Sequence, residues 1–339
     1  MAKMLLLGLC VLSLAPPPST SHTSFSFRLS SSTSLSSSTS SSAPSSPPPY
    51  DLPYQRFSVK LPKVGRLNLY GLYYGLTSIF LGLIWTVANT AVWAAYGVVR
   101  RLLRITSFDA NRHIPLFFAH CWGVALLRLT GCYPKITVRP GAPSPTKFFS
   151  AASPIETSAS PSTAVMYVGN HCSWMDIPYM GVAIGWRNYK IIAKKELTAV
   201  PILGQSIKLA GHVLVDRKNR RSQIATLKKG IATLQSNIPL CSFPEGTRSR
   251  TGRLMPFKRG SFSMAVKANA AVVPLSIVGA EKVMPTNWVM PLRPSSGVPG
   301  EIIVHPPISS VGKTEAELTE AVRRAIISGL PDQQRPVEA

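Results

Sequence analysis

Acidic residues are scarce in this chain of 339 residues. It contains 14 Asp and Glu against 37 Lys and Arg, which gives a formal net charge of +23. Such an excess of cations indicates an anionic partner: a nucleic acid, a membrane surface or an anionic substrate. No run rich in Lys and Arg carries interleaved aromatic residues, which argues against nucleic acid. We therefore expect no nucleic-acid partner and favour an anionic membrane surface.

Cysteine is also rare, and its pattern excludes two classes of protein. The five cysteines are odd in number and scattered, and they form neither a CxxC pair nor a cluster with histidine. Disulfide-stabilised secreted folds and zinc sites both need such spacings. We expect no metal site and interpret the cysteines as small, mostly buried residues in a reducing compartment.

The first 50 residues contain no Asp or Glu, and their composition cannot build a core. An apolar run at positions 4–15 is followed by a Ser/Thr/Pro tract that extends to Pro49. This pattern predicts a disordered targeting or transit peptide over residues 1–50. The apolar run resembles a secretory signal, whereas the acid-free tract resembles a plastid transit peptide. We favour a plastid membrane as the destination, with the endoplasmic reticulum as the alternative.

Residues 67–99 form a run of 33 residues without a charge, bounded by Arg66 and Arg100. About 20 apolar residues suffice to span a bilayer. A second apolar segment, at positions 114–127, is shorter than a span requires. Region 51–131 is therefore predicted to be a hydrophobic helical membrane anchor. It forms either one tilted transmembrane helix or a helical hairpin lying in one leaflet.

Residues 132–330 alternate β-rich and helical segments, which predicts an α/β domain with a mixed sheet flanked by helices. Strands are predicted at 136–138, 164–168, 190–193, 212–215, 238–243, 272–278 and 302–304. Helices are predicted at 177–184, 205–209, 220–236, 261–268 and 315–329. A Pro/Ser-rich stretch at about 141–163 is interpreted as a surface insertion, and residues 331–339 as a tail.

Four short segments of this region carry the chemistry. They are residues 170–176 (NHCSWMD), 211–217 (GHVLVDR), 243–249 (FPEGTRS) and 273–279 (VPLSIVG). In this order they resemble the four motif blocks of the glycerolipid acyltransferases, specifically the 1-acylglycerol-3-phosphate (lysophosphatidate) acyltransferase family. The resemblance covers roughly residues 110–310. It implies neither a metal nor a prosthetic group, and it favours the one-leaflet hairpin.

His171 and Asp176 are the predicted catalytic residues. Acyl transfer from a thioester to a hydroxyl needs a base, and histidine titrates in the right range. Asp176 can reach one ring nitrogen and stabilise the imidazolium that forms. The resemblance implies this pair and no acyl-enzyme. In a purely structural alternative, Asp176 caps a helix and His171 is a buried histidine.

Cys172 suggests a nucleophile paired with the neighbouring histidine. We disfavour this alternative because adjacent residues on an extended segment point to opposite sides.

One loop is predicted to bind the acceptor's head group through Glu245, Gly246, Thr247 and Arg248. Arg248 is suited to hold a phosphate through two hydrogen bonds. Glu245 is expected to bind a glycerol hydroxyl or to pair with a basic neighbour. Arg217 is a second candidate for the phosphate, with a pair to the adjacent aspartate as its structural alternative.

Five further residues are assigned to binding or support. Lys194 and Lys195 are expected to attract phosphates or to polarise the thioester carbonyl, unless they form a solvated turn. Asn170 and Ser173 match the family pattern and are expected to brace the catalytic loop. Pro274 is expected to line an acyl or donor channel, although a plain core strand explains it nearly as well.

Together these features predict a membrane-bound acyltransferase that esterifies the sn-2 hydroxyl of 1-acylglycerol 3-phosphate to form phosphatidate. The expected partners are membrane lipids, lysophosphatidate and an acyl-CoA or acyl-carrier-protein thioester. One alternative is transfer to glycerol 3-phosphate or another lysophospholipid. A non-enzymatic alternative is a catalytically silent, basic membrane-lipid scaffold.

Overall fold

A computed structural model describes residues 59–61, 65–102, 104, 109–145, 165–200, 203–286, 288, 290–292 and 300–337. The predicted targeting peptide lies outside these residues, as does most of the predicted insertion at 141–163.

The described strands and helices follow the predicted alternation. The strands are β1 Val59–Leu61, β2 Gly65–Leu67, β3 Lys135–Val138, β4 Val165–Gly169, β5 Lys190–Lys194, β6 Val213–Val215, β7 Leu240–Ser242, β8 Ala271–Val278 and β9 Glu301–Val304. The α-helices are α1 Leu69–Leu102, α2 His113–Leu129, α3 Asp176–Ile184, α4 Leu203–Leu209, α5 Arg220–Gln235, α6 Gly260–Lys267, α7 Ala280–Val283 and α8 Glu315–Gly329. Within residues 132–330, the bounds of every predicted element agree with the structure to within about two residues.

The core of the molecule is a seven-stranded sheet in the order β3-β9-β8-β4-β7-β5-β6. Strands β4 to β8 run parallel to one another, whereas β9 pairs antiparallel with β8 and parallel with β3. Strands β4, β7 and most of β8 are buried, as expected for parallel strands that are covered on both faces. The predicted mixed α/β fold is therefore confirmed.

Helices α1 and α2 form an antiparallel pair at one side of the sheet. Near the start of α1, the Tyr70 hydroxyl donates to the carbonyl of Thr130, just after α2, at 2.6 Å. Near its end, the Tyr96 hydroxyl donates to Asp109, just before α2. In the described residues, α1 is the helix that is long and apolar enough to cross a membrane by length and composition.

Helix α1 buries one stripe and leaves the rest of its apolar surface open. The buried stripe recurs at steps of three, four or seven residues, which all fall on one helix face: Gly71, Gly75, Gly82, Trp85, Asn89, Val92 and Tyr96. Large apolar side chains cover the exposed face: Leu69, Leu72, Tyr73, Leu76, Phe80, Leu83, Ile84, Val87, Trp93, Val98 and Leu102. Exposed apolar surface of this extent is typical of a membrane or protein interaction surface.

The predicted tail is attached to the domain at Gln334, although most of residues 331–337 are exposed. The side chain of Gln334 is buried. Its Oε1 accepts from the backbone N–H of Gly279 at 3.1 Å, and its Nε2 donates to Glu281 at 3.2 Å. The backbone N–H of Leu254 donates to the Gln334 carbonyl at 2.8 Å. These bonds hold Gln334 against the segments that follow β7 and β8.

Candidate active site

The predicted site residues come together because five parallel strands end at the same edge of the sheet. His171 follows β4, the loop with Glu245 follows β7, Lys194 ends β5, and Arg217 follows β6. In open α/β sheets, the crevice at the carboxyl ends of the strands is the usual place for a ligand.

Asp176 organises the turn that follows β4. Its side chain is 0% exposed, and its Oδ2 lies 2.8 Å from Nδ1 of His171. The same oxygen accepts the backbone N–H groups of Cys172 and Ser173, each at 2.7 Å. The predicted contact between histidine and aspartate is therefore present. The backbone donors belong to the turn before α3 rather than to its first residues, so Asp176 is not an ordinary helix cap.

His171 is held on several sides. Its ring stacks on Phe243, with centroids 4.3 Å apart and planes 17° apart. Its backbone N–H donates to Glu245 Oε1 at 2.6 Å, and its carbonyl accepts from the N–H of Ser249 at 2.8 Å. No hydrogen bond reaches Nε2 from the residues that the structure describes. The side chain is 15% exposed, so this nitrogen is the one left for a substrate.

The Glu245 carboxylate binds two backbone N–H groups and supports the loops of the site. It is buried, and its second oxygen accepts from the backbone N–H of Met255 at 3.1 Å. Burial raises the pKa of Glu245 to about 8, although the two N–H donors oppose this rise. Sequence reasoning assigned Glu245 to the substrate. The structure corrects this, because both carboxylate oxygens bind the backbone.

Gly246 permits a turn that other residues would strain. Its φ is +73°, and a Cβ placed there would lie 2.9 Å from Nζ of Lys258. The Lys258 backbone N–H donates to the carbonyl of Pro244 at 2.9 Å, so its exposed cation lies alongside the loop. Thr247 is exposed at the tip of the turn. The loop thus presents backbone, a hydroxyl and nearby cations at the sheet edge.

Arg248 is partly buried, and its guanidinium carbon lies 4.8 Å from the centre of the Trp174 ring. Burial lowers the pKa of Arg248, and the nearby negative charge of Asp176 opposes that shift. Arginine nevertheless remains charged in proteins. This is the predicted cation that the structure brings next to the turn of His171.

Arg217, Lys194 and Lys195 lie farther along the same edge, toward β6. All three are exposed, and Lys194 forms an ion pair with Glu196 at 3.6 Å. Exposed pairs of this kind contribute little to stability. Asp216 accepts a hydrogen bond from the backbone N–H of Lys218, at 3.1 Å. These three cations contribute positive charge to the edge of the sheet, and their roles as phosphate ligands remain predictions.

Asn170 and Ser173 make the bracing contacts expected of them. The Asn170 amide donates to the carbonyl of Ile277 at 2.9 Å and accepts its N–H at 2.7 Å, which ties β4 to β8. The Ser173 hydroxyl donates to the carbonyl of Met284 at 2.8 Å. Pro274 is buried within β8, opposite Val168 of β4. The core-strand interpretation of Pro274 therefore fits better than a channel wall.

The environment of Cys172 opposes a thiolate. The side chain is buried, and Sγ lies 3.6 Å from Oε2 of Glu281. Burial raises the pKa of the Cys172 thiol well above its usual range, and the charges of Asp176 and Glu281 raise it further. Because the thiolate is the nucleophile, this position is poorly suited to covalent catalysis.

Sequence reasoning missed four residues of this site: Phe243, Trp174, Glu281 and Gln334. Phe243 and Trp174 lie inside the motif blocks, and no role was assigned to them. A sequence feature could have identified Glu281, because it is an acid two residues beyond the fourth block in an acid-poor region. No sequence feature identifies Gln334, since its contacts are more than 50 positions away in the chain.

Comparison with known proteins shows what the described domain is similar to. The family described as Acyltransferase matches residues 153–278. A 1-acyl-sn-glycerol-3-phosphate acyltransferase of Chlamydomonas reinhardtii is 37% identical over 173 residues, which cover 51% of this chain and 50% of that protein. A chloroplastic 1-acyl-sn-glycerol-3-phosphate acyltransferase of Arabidopsis thaliana is 37% identical over 158 residues, which cover 45% and 42% respectively. The chain therefore spans about half the length of these curated relatives.

The fold has a counterpart of known structure. The 1-acyl-sn-glycerophosphate acyltransferase PlsC from Thermotoga maritima superimposes with a TM-score of 0.53 at 24% identity, covering 77% of this chain and 96% of that one. Residues 153–278 of this chain thus match the acyltransferase family. The predicted resemblance to the 1-acyl-sn-glycerol-3-phosphate acyltransferases is confirmed.

Proposed function

We propose that this protein transfers a fatty acyl group from a thioester to the sn-2 hydroxyl of 1-acylglycerol 3-phosphate, forming phosphatidate. The main support for this proposal is the environment of the two nitrogens of the His171 ring. Nδ1 of His171 lies within hydrogen-bond distance of the buried Asp176 carboxylate, while Nε2 has no partner among the described residues. A histidine held in this way is arranged to act as a base at one defined atom.

In the proposed reaction, Nε2 of His171 takes the proton from the acceptor hydroxyl as the oxygen attacks the thioester carbonyl. The tetrahedral intermediate collapses to the ester, and the sulfur leaves with the proton returned by His171. Asp176 stabilises the imidazolium between these two steps. The attacking hydroxyl belongs to the substrate, so no acyl-enzyme forms. Neither a metal nor a prosthetic group enters the reaction.

Arg248 is proposed to bind the acceptor's phosphate, and the cations along the sheet edge attract both anionic substrates. The donor is an acyl-CoA or an acyl carrier protein. Glycerol 3-phosphate or another lysophospholipid is the alternative acceptor. A scaffold without activity is the rival from another class. An acyl-transfer assay on the purified protein, with a panel of acceptors and both carriers, tests the proposal, and the absence of transfer to every acceptor would exclude it.

Replacing the proposed base should abolish transfer. His171→Ala is expected to lower kcat by about 100- to 10,000-fold, because the hydroxyl proton then has no acceptor at the site. The rate is measured in detergent together with thermal unfolding. Cys172→Ala is the control and should keep most of the activity. A His171→Ala protein with a tenth of the wild-type rate would exclude the assignment, and a folded but inactive Cys172→Ala would favour a nucleophilic thiol.

Replacing the proposed phosphate ligand should affect one substrate only. Arg248→Ala is expected to raise KM for lysophosphatidate about 10- to 150-fold, the cost of a lost charge-assisted contact. KM for the thioester should change little. Arg248→Lys should recover part of the loss, because an ammonium keeps the charge but not the two-pronged geometry. Arg250→Ala, an exposed arginine two positions away, is the matched control. A loss confined to the thioester would move the phosphate role to Arg217.

The exposed face of α1 is proposed to bind the membrane. Leu76, Phe80, Leu83 and Val87 lie on one side of the helix, each more than half exposed. Changing all four to Gln should release the protein from vesicles at high salt, since burying each such side chain contributes about 1.5–3 kcal/mol. Ile224→Gln on α5 is the control and should leave sedimentation unchanged. Undiminished binding by the fourfold variant would place the anchor elsewhere.

A plastid is the proposed location, supported by the composition of residues 1–50 and by a chloroplastic relative. A fluorescent reporter fused behind these residues should accumulate in plastids of a plant cell. Reticular labelling of the endoplasmic reticulum would contradict the proposal and favour the secretory alternative.

A further inference from the structure

The Arg248 guanidinium lies over the Trp174 ring. No hydrogen bond or ion pair joins it to any residue that the structure describes, although the side chain is partly buried. A guanidinium carries five N–H donors, and leaving them unpaired away from water is unfavourable. Its donors therefore remain available to an anion, and the aromatic ring is the contact that defines its position.

Trp174 is itself well placed to act as a platform. It lies between His171 and Asp176, on the turn whose N–H groups bind the Asp176 carboxylate. The indole packs against the core, and its buried Nε1 has no hydrogen-bond partner in the described part of the chain. Packing and the turn, rather than an indole hydrogen bond, therefore set the orientation of the ring.

The loop that carries Arg248 is fixed to the same turn. The backbone N–H of Ser249 donates to the His171 carbonyl at 2.8 Å. The proposed base and the guanidinium are thus both attached to the turn that contains Trp174. Aromatic rings attract guanidinium groups over their faces and leave the N–H edges free to form hydrogen bonds.

We propose that Trp174 is a positioning residue for acceptor recognition, holding the Arg248 guanidinium where the phosphate of the acceptor binds. This inference rests on the proposed function and adds a second determinant of acceptor affinity. It separates two roles within one turn: Asp176 orients the base, and Trp174 orients the phosphate ligand. A guanidinium held at a fixed distance from Nε2 of His171 would bind the phosphate so that only one hydroxyl of the acceptor reaches the base. This geometry would select the hydroxyl that is acylated.

The test compares Trp174→Phe, which keeps an aromatic face, with Trp174→Leu, which keeps an apolar side chain without one. KM and kcat are measured for lysophosphatidate and for the thioester. Trp174→Leu should raise KM for lysophosphatidate about 3- to 30-fold, the range of a partly desolvated cation–π contact, with little change for the thioester. Trp174→Phe should stay within about threefold of the wild type. Thermal unfolding confirms that each variant is folded, and Trp174→Met replaces the leucine variant if that one is not.

A double-mutant cycle separates positioning from simple packing. In an Arg248→Ala background, Trp174→Leu should raise KM for lysophosphatidate no further, because the group it positions is gone. Additive effects, or equal losses for Trp174→Phe and Trp174→Leu, would overturn the proposal. An equal effect on both substrates would overturn it as well. A wild-type protein that acylates no phosphate-bearing acceptor would instead overturn the proposed function itself.

Discussion

The buried carboxylate of Asp176 is the constraint on which the site depends. Removing a charge from water is costly unless several hydrogen bonds compensate for it. Here three N–H donors converge on one carboxylate oxygen, from the His171 ring and from the backbone of Cys172 and Ser173. The same three bonds fix the path of the turn and the orientation of the ring. The orientation of the proposed base and the local folding of the turn therefore have one cause.

Further hydrogen bonds join the turn around Asp176 to the neighbouring strands of the sheet. Asn170 joins the end of β4 to β8, and Glu245 joins the loop after β7 to the backbone of His171. Each of these braces crosses between neighbouring parallel strands, so the loops cannot move independently. Rigid strands thus position a site that is built almost entirely from loops.

The sequence predicts the fold well because its signal is local. Short β-rich segments between helical ones predict the strands and helices of the α/β domain. The carboxyl ends of the parallel strands then bring the motif residues together. The His171–Asp176 contact was predictable for the same reason, since five positions along the chain separate the two residues. The wide acid-free stretches likewise made each motif carboxylate conspicuous.

The sequence predictions that differ from the structure concern the direction of side chains and contacts between distant segments. Glu245 has the composition of a ligand, but its carboxylate turns inward to two backbone N–H groups, one of them 74 positions away. Gln334 follows a helix like a tail residue, yet it is buried against residues more than 50 positions earlier. Trp174 looks like a core aromatic until Arg248 is found above its ring. Spacing in the chain contains no information on such pairings.

The Asp176→Asn variant separates the charge of this carboxylate from its hydrogen bonds. All three donors meet at one oxygen, so an asparagine carbonyl can accept the same bonds, and the thermal midpoint should change little. The substitution removes the negative charge that is proposed to stabilise the imidazolium. In a folded Asp176→Asn protein, kcat for acyl transfer to lysophosphatidate is expected to fall about 100- to 10,000-fold. A folded Asp176→Asn variant with a rate within tenfold of the wild type would contradict this expectation.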